Sequence, residues 1–167
     1  MTALQIKDLA QFSHELFRGT MFDNFLLQEA IISQAVSLTL DGTLKADFYS
    51  EEELAEKGLL GCPYIPYAWV RPICFEMIKG RHKPDYFKFV FLLSPKNQAS
   101  TILKSGSSFK PEDISGMFLN LIYKNEMLTC TTGISYKIFS PDKSLEHEWD
   151  RLAALFFRQH GITVETL

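Results

Sequence analysis

The chain is poor in the features that usually betray a function. It has three cysteines, Cys62, Cys74 and Cys130, widely spaced and with no CxxC pair. So sparse and odd a set excludes a disulfide framework of the secreted kind. The longest purely apolar runs, Phe89–Leu93 and Ala153–Phe157, fall far short of the ~20 residues that cross a bilayer. Residues 1–10 contain Lys7 and Asp8 and lack the apolar stretch of a signal peptide, and no Asn-x-Ser/Thr acceptor occurs. GxSxG, GxGxxG, Walker A and HExxH motifs are all missing. His14-Glu15 and His147-Glu148 each begin like a zinc helix, but Arg18 and Arg151 stand where the second histidine belongs. No metal and no cofactor is therefore expected. Excess positive charge is missing too: a net charge of -3 argues against a chain built to grip phosphate backbones. Together these absences describe a soluble, reduced, cytoplasmic protein without a membrane role.

What is present suits one globular domain over residues 1–167, large enough to hold together without metals or disulfides. Apolar residues make up 46 % and charged residues 22 %, which is ordinary. The 14 phenylalanines are not. Rings of that size fill thick layers between a sheet and its helices.

Along the chain, Leu4–Phe17 reads as an amphipathic helix, blurred at Phe12, with Gly19 at its end. Phe25–Thr39 reads as strand. Val36 and Leu38 alternate toward Asp41-Gly42, and Leu44, Ala46 and Phe48 alternate beyond it. A three-residue loop with Gly42 left-handed would put these apolar sets on one face. Ser50 should cap a short helix ending at Gly58, with Glu53 reaching back. Ala68–Lys79 reads as strand, the alternative being a helix beginning at Pro72. Tyr86–Leu93 reads as strand. Ser94–Asp113 is polar, with a helical turn possible over 97–104 and a mobile loop over Lys104–Ser108. Met117–Tyr123 and Met127–Ile138 form a hairpin, with Gly133 marking a bulge or a close backbone approach. Ser140-Pro141 should open a last helix with a stripe at Leu145, Trp149, Leu152 and Phe156, stopped by Gly161. The expected fold is α+β: one twisted antiparallel sheet of about five or six strands, packed on one face by the N- and C-terminal helices.

Two segments stand out as candidate sites. The first is the loop 58–67, GLLGCPYIPY, which has loop punctuation but apolar cargo. Loops ordinarily run polar over the surface. Leu60, Tyr64, Ile65, Tyr67 and Trp69 could line a ligand pocket under it, or face a homodimer or protein partner. The second is a basic hairpin at 79–88, with Lys79, Arg81, His82 and Lys83 beside Tyr86 and Phe87. It could hold phosphate or nucleic acid, or be no more than a solvated turn. A third reading is an enzyme, which would need two of Cys74, Cys130, His82 and His147, or a set of carboxylates, to converge. Its catalytic residues cannot be named from sequence.

Ile78-Lys79-Gly80 with Pro84 and Phe87-Lys88, then Thr131–Ser135, Phe139 and Trp149-Asp150, resembles an uncharacterised bacterial, clostridial-type family of domains of unknown function. The resemblance covers most of the chain. It implies a cytoplasmic bacterial protein and no particular activity. The leading expectation is a non-catalytic ligand- or protein-binding domain using the loop 58–67.

Overall fold

A computed structural model describes residues 1–167. Its elements are β1 (Ala3–Ile6), α1 (Leu9–Phe17), β2 (Phe25–Ser33), β3 (Ser37–Asp41), α2 (Glu51–Glu56), β4 (Ile65–Pro66), α3 (Arg71–Ile78), β5 (Tyr86–Leu93), α4 (Pro95–Ser105), β6 (Ile114–Lys124), β7 (Met127–Tyr136), α5 (Ser144–Gln159) and β8 (Val164–Thr166). The strands form one antiparallel sheet in the order β3-β2-β5-β6-β7-β1-β8, with β4 also paired to β2. The fold is α+β as expected, but the sheet has eight strands rather than five or six. The extra ones include β1, β4 and β8, of four, two and three residues. Strands so short show no legible alternation.

Rows of paired residues run across the covered face. Ile32, Phe87, Tyr123, Leu128 and Ile6 form one row; Ala30, Phe89, Leu121, Cys130 and Leu4 form the next. Phe12 and Leu16 of α1 and Leu145, Trp149, Ala153 and Phe157 of α5 belong to the same buried cluster. The phenylalanines fill the layer as their number suggested. Phe17 meets Phe87 and Phe89 edge-on at 5.7 and 5.8 Å, and Phe22 stacks on Phe91 at 4.8 Å. Such pairs add to the apolar burial itself. On the opposite face Ile31, Lys88, Ile122 and Thr129 remain half-buried, Lys88 pairs with Glu29 at 3.2 Å, and Val90 and Leu92 are buried apart from the main cluster.

Several expectations need correction. Leu4–Ile6 is strand rather than the start of a helix, because Leu4 and Ile6 point together into the core. The turn of the first hairpin lies at 34–36, not at Asp41-Gly42: Ser33 pairs with Ser37 and Ile32 with Leu38. Val36 is 67 % exposed at its tip, and Ala46 lies in a 3-10 turn, so the expected shared face of 36–46 does not form. Gly42 is not left-handed. Its requirement is space: a Cβ there would stand 1.7 Å from the Leu27 carbonyl oxygen, beside the bulge in β2. At that point the edge of β2 passes from β3 to β4, the Gly42 amide donating to Gln28 O and the Ile65 amide to Gly42 O.

Residues 71–78 are helical, with Pro72 in the first turn, so the strand reading of 68–79 gives way to its alternative. The helical turn expected over 97–104 is part of a longer helix: Ser94 caps α4 through the Asn97 amide, and left-handed Gly106 ends it, within the stretch expected to be a mobile loop. Ser140-Pro141 does not start α5, which begins at Ser144. Gly133 pairs regularly with Phe118 and has open space beside it; the irregularity lies across the ladder, at Ile114/Gly116. Ser50 does cap α2, its Oγ accepting from the Glu53 amide at 3.1 Å. The β6–β7 turn is Asn125-Glu126, both at positive φ.

Gly42→Ala should cost about 2–3 kcal/mol, as overpacking against fixed backbone does. Gly133→Ala should stay within about 0.5 kcal/mol. Urea denaturation of the two variants checks the contrast.

Asp142 organises the entry to α5. Its Oδ1 accepts from the Ser144 amide and hydroxyl at 2.9 and 2.6 Å, its Oδ2 from the Ser108 amide at 3.1 Å. These donors, Ser144's hydroxyl and amide first, hold the Asp142 carboxyl well below the usual carboxylate range. A folded-state value below the unfolded one means stability that is present above the ordinary carboxylate range and lost as pH falls beneath it. Melting temperatures measured from pH 7 to 3 should therefore fall more steeply for the wild type than for Asp142→Asn.

Candidate functional site

The site begins with an unusual breadth of apolar surface on α1. At 100° per residue, Phe12 and Leu16 share one arc, while Leu9, Ser13 and Phe17 fall on a neighbouring one. The first arc is fully buried in the core. The second, with Ala10, lines a cleft of about 380 Å³. This double use of one helix accounts for the blurred stripe at Phe12. Ile78 of α3 and the connection Gly80–Pro84 form the opposite wall. The floor is the start of β5 and the end of β6, where Phe87 and Tyr123 stack at 5.1 Å.

The two walls are tied at one end of each. The last carbonyls of a helix lack partners within it. In α1 they are met by the segment that enters α3: the buried Tyr67 hydroxyl donates to Leu16 O at 2.7 Å, and Arg71 Nη1 to Arg18 O at 3.3 Å. Arg71 also forks onto Asp23, through Nε at 2.9 Å and Nη2 at 3.0 Å. Burial pushes the Tyr67 phenol far above its ordinary value, so it stays a neutral donor.

The one formally charged side chain lining the cleft is Lys83. His82 and Lys83 stand at its mouth. An adjoining depression of about 290 Å³, which shares Ser13, Phe17, Ile78 and Gly80, adds His14, Arg18 and Lys79. No Asp or Glu lines either one, in a chain of net charge -3. Arg18 lies over the Phe75 ring at 4.8 Å, and Lys79 is paired with Glu76 at 2.5 Å. Lys83 makes no ion pair, and the Ser13 and Tyr123 hydroxyls have no partner within the protein. A larger depression of about 520 Å³ near Tyr136 differs: it mixes Lys137 and Lys143 with Asp142 and Glu146, and Lys143 already pairs with Glu146 at 3.2 Å.

The basic segment is thus a helix-to-strand connection rather than a hairpin. His82 and Lys83 line the cleft, Lys79 the adjoining depression, and Arg81 lines neither and is exposed. The loop 58–67 is a plug more than a lid. Leu59 and Tyr67 are buried, Ile65 is a half-buried strand residue, and Tyr64 faces a shallow depression beside Asp41. Leu60 is 57 % and Trp69 40 % exposed, turned away from the core. The thiols and imidazoles do not converge. Cys74 and Cys130 are completely buried, whereas His82 and His147 are exposed. Burial raises the Cys74 thiol to about 12 and Cys130 further still, the reverse of an activated nucleophile. No three His, Cys, Asp or Glu side chains gather as metal ligands, and no helix is long and apolar enough to cross a membrane. Leu9, Ser13, Phe17 and Tyr123 escaped the sequence reading. The only trace of them was the excess apolar arc on the first helix.

The architecture is that of an α+β domain with a single antiparallel sheet, helices over its covered face, and a cation-rimmed cleft between two of them. The chain belongs to a family of unknown function, DUF5721, whose model matches residues 15–165. No curated protein and no solved structure matches it.

Tyr67→Phe leaves the Leu16 carbonyl unmet in the core and should cost about 1–2 kcal/mol. Arg71→Lys keeps the charge but loses the fork, and should cost about 1 kcal/mol. Thermal melts measure both losses, and amide exchange should show faster opening confined to α1 and α3.

Proposed function

We propose that this domain is a non-catalytic binding module for a small amphipathic anion, seated between α1 and α3. The observation that carries the reading is an apolar floor beneath a mouth whose only charged side chain is the Lys83 ammonium. Small-ligand sites commonly combine an apolar lining with a few converging polar groups, in clefts of this size. A carboxylate or sulfonate would meet Lys83 and His82, with the Ser13 and Tyr123 hydroxyls within the same cleft. Its ring or short acyl chain would cover Phe17, Phe87 and Ile78. The same basic mouth suits a phosphate group, but extended nucleic acid is disfavoured: Lys79 and Lys88 are neutralised by Glu76 and Glu29. A protein partner on the loop 58–67 is the second reading, supported by the exposure of Leu60 and Trp69. We take the setting to be one domain in a reducing bacterial cytoplasm, in keeping with three unpaired thiols.

The test is titration with anilinonaphthalene sulfonate and with a series of straight-chain carboxylates. Saturable binding is expected. Lys83→Glu should weaken it about tenfold, equivalent to ~1.4 kcal/mol, and Ser13→Trp should abolish it while leaving the circular dichroism unchanged. A folded Ser13→Trp protein that binds as well as the wild type would falsify the assignment.

A further inference from the structure

A second feature lies outside the cleft. Between Asp47 and Lys57 the chain carries five carboxylates and one ammonium, followed by left-handed Gly58 at the end of α2. Beside this acidic stretch Tyr49 and Trp69 meet at 6.2 Å with their planes at 73°, forming an open corner of two ring faces. The corner holds a cation. The Lys57 ammonium lies 5.3 Å from the Tyr49 ring centre and 5.6 Å from that of Trp69. Both distances are within the range in which a ring's quadrupole attracts positive charge, and tryptophan provides the strongest such face.

The choice made by Lys57 is informative. Glu53 precedes it by four residues, the spacing at which a helical ion pair forms. Yet Lys57 makes no ion pair and sits against the rings instead. The corner also remains open to solvent: Trp69 is 40 % exposed, Phe48 beside it is 78 % exposed, and neither Trp69 Nε1 nor the Tyr49 hydroxyl bonds within the protein. Neither ring belongs to the core cluster.

We infer that the Tyr49–Trp69 corner is a binding site for an alkylammonium cation, occupied in the free protein by the chain's own Lys57. A quaternary or methylated ammonium suits it better than lysine does. It carries the same charge with weaker hydration, so it gives up less water to lie on two rings. The surrounding carboxylates raise the local concentration of cations and repel anions, which separates this site from the basic cleft. The carboxylates do not gather into a group of three that could hold a metal ion. Lys57 then acts as a built-in competitor that a ligand must displace.

The test reads Trp69 fluorescence. Trp149 is buried, with its Nε1 bonded to Phe118 O, and gives a constant background. Tetramethylammonium is titrated at fixed ionic strength against sodium chloride as control. Lys57→Ala should bind it saturably and about fivefold or more tightly than the wild type, in keeping with the loss of an exposed cation–π competitor. Adding Tyr49→Ala to that variant should abolish the response. Comparing choline with a peptide carrying trimethyllysine identifies the source of the cation: tighter peptide binding points to a protein partner, tighter choline binding to a free amine. Equal affinities in wild type and Lys57→Ala, or a sodium-like response in Lys57→Ala, would overturn the inference.

Discussion

The hydroxyl of Tyr67, donated to the Leu16 carbonyl inside the core, is the contact on which the arrangement of the cleft depends. It meets an otherwise unpartnered carbonyl at the end of α1, and it brings with it the segment that leads into α3. Arg71, four residues on, repeats the tie through Asp23 and the Arg18 carbonyl. A buried carbonyl left without a donor is expensive, so the end of one helix dictates where the next begins. The two helices stand on the same sheet face, tied at these ends. The gap between them, with Ser13 and Phe17 on one side and Ile78 on the other, is the cleft.

The sheet beneath tolerates a cleft because its core is filled elsewhere. Phe87, Phe89 and Phe91 alternate onto the covered face of β5 and stack or cross with Phe17, Phe22 and Tyr67. Large rings reach across the gap from sheet to helix, so α1 can turn part of its surface away from the core. Phe17 does both jobs: it is buried against Phe87 and Phe89 yet forms part of the cleft wall. A chain with shorter side chains at these positions would have to bring α1 closer and close the gap.

Long elements with strong periodicity were legible, and those governed by backbone space or tertiary pairing were not. Tyr86–Leu93 and the hairpin around Asn125-Glu126 could be read because many residues repeat the same alternation. Gly42 shows the opposite. Glycine after aspartate suggests a left-handed turn, but its role is to let one backbone pass within reach of another, and no local pattern reports that. The dipeptide Ser-Pro gave a false reading at Ser140 and a missed one at Ser94. At Ser94 the chain after proline continues helical to Gly106. At Ser140 the Asp142 carboxylate captures the Ser144 hydroxyl and amide and sets the start of α5 two residues later. Side-chain competition for backbone amides thus moved the helix boundary. The cleft was half legible for a similar reason. Lys79–Lys83 is contiguous, whereas its apolar partners are Leu9 and Phe17 on one side and Phe87 and Tyr123 on the other, joined only by the fold.

The distribution of charge carries the last step. The acidic residues of 47–57 and the basic ones at 79–83 nearly cancel in the total, so the net charge of -3 describes neither surface. At physiological salt the field of an exposed patch fades over about a Debye length, ~8 Å, so the charges nearest a surface matter more to it than the total. The apolar component is likewise divided, between Phe17 and Phe87 in the cleft and Tyr49 and Trp69 in the exposed corner. Each patch therefore pairs ring faces with one sign of charge, and an amphipathic anion and an alkylammonium cation would each be rejected by the surface that suits the other.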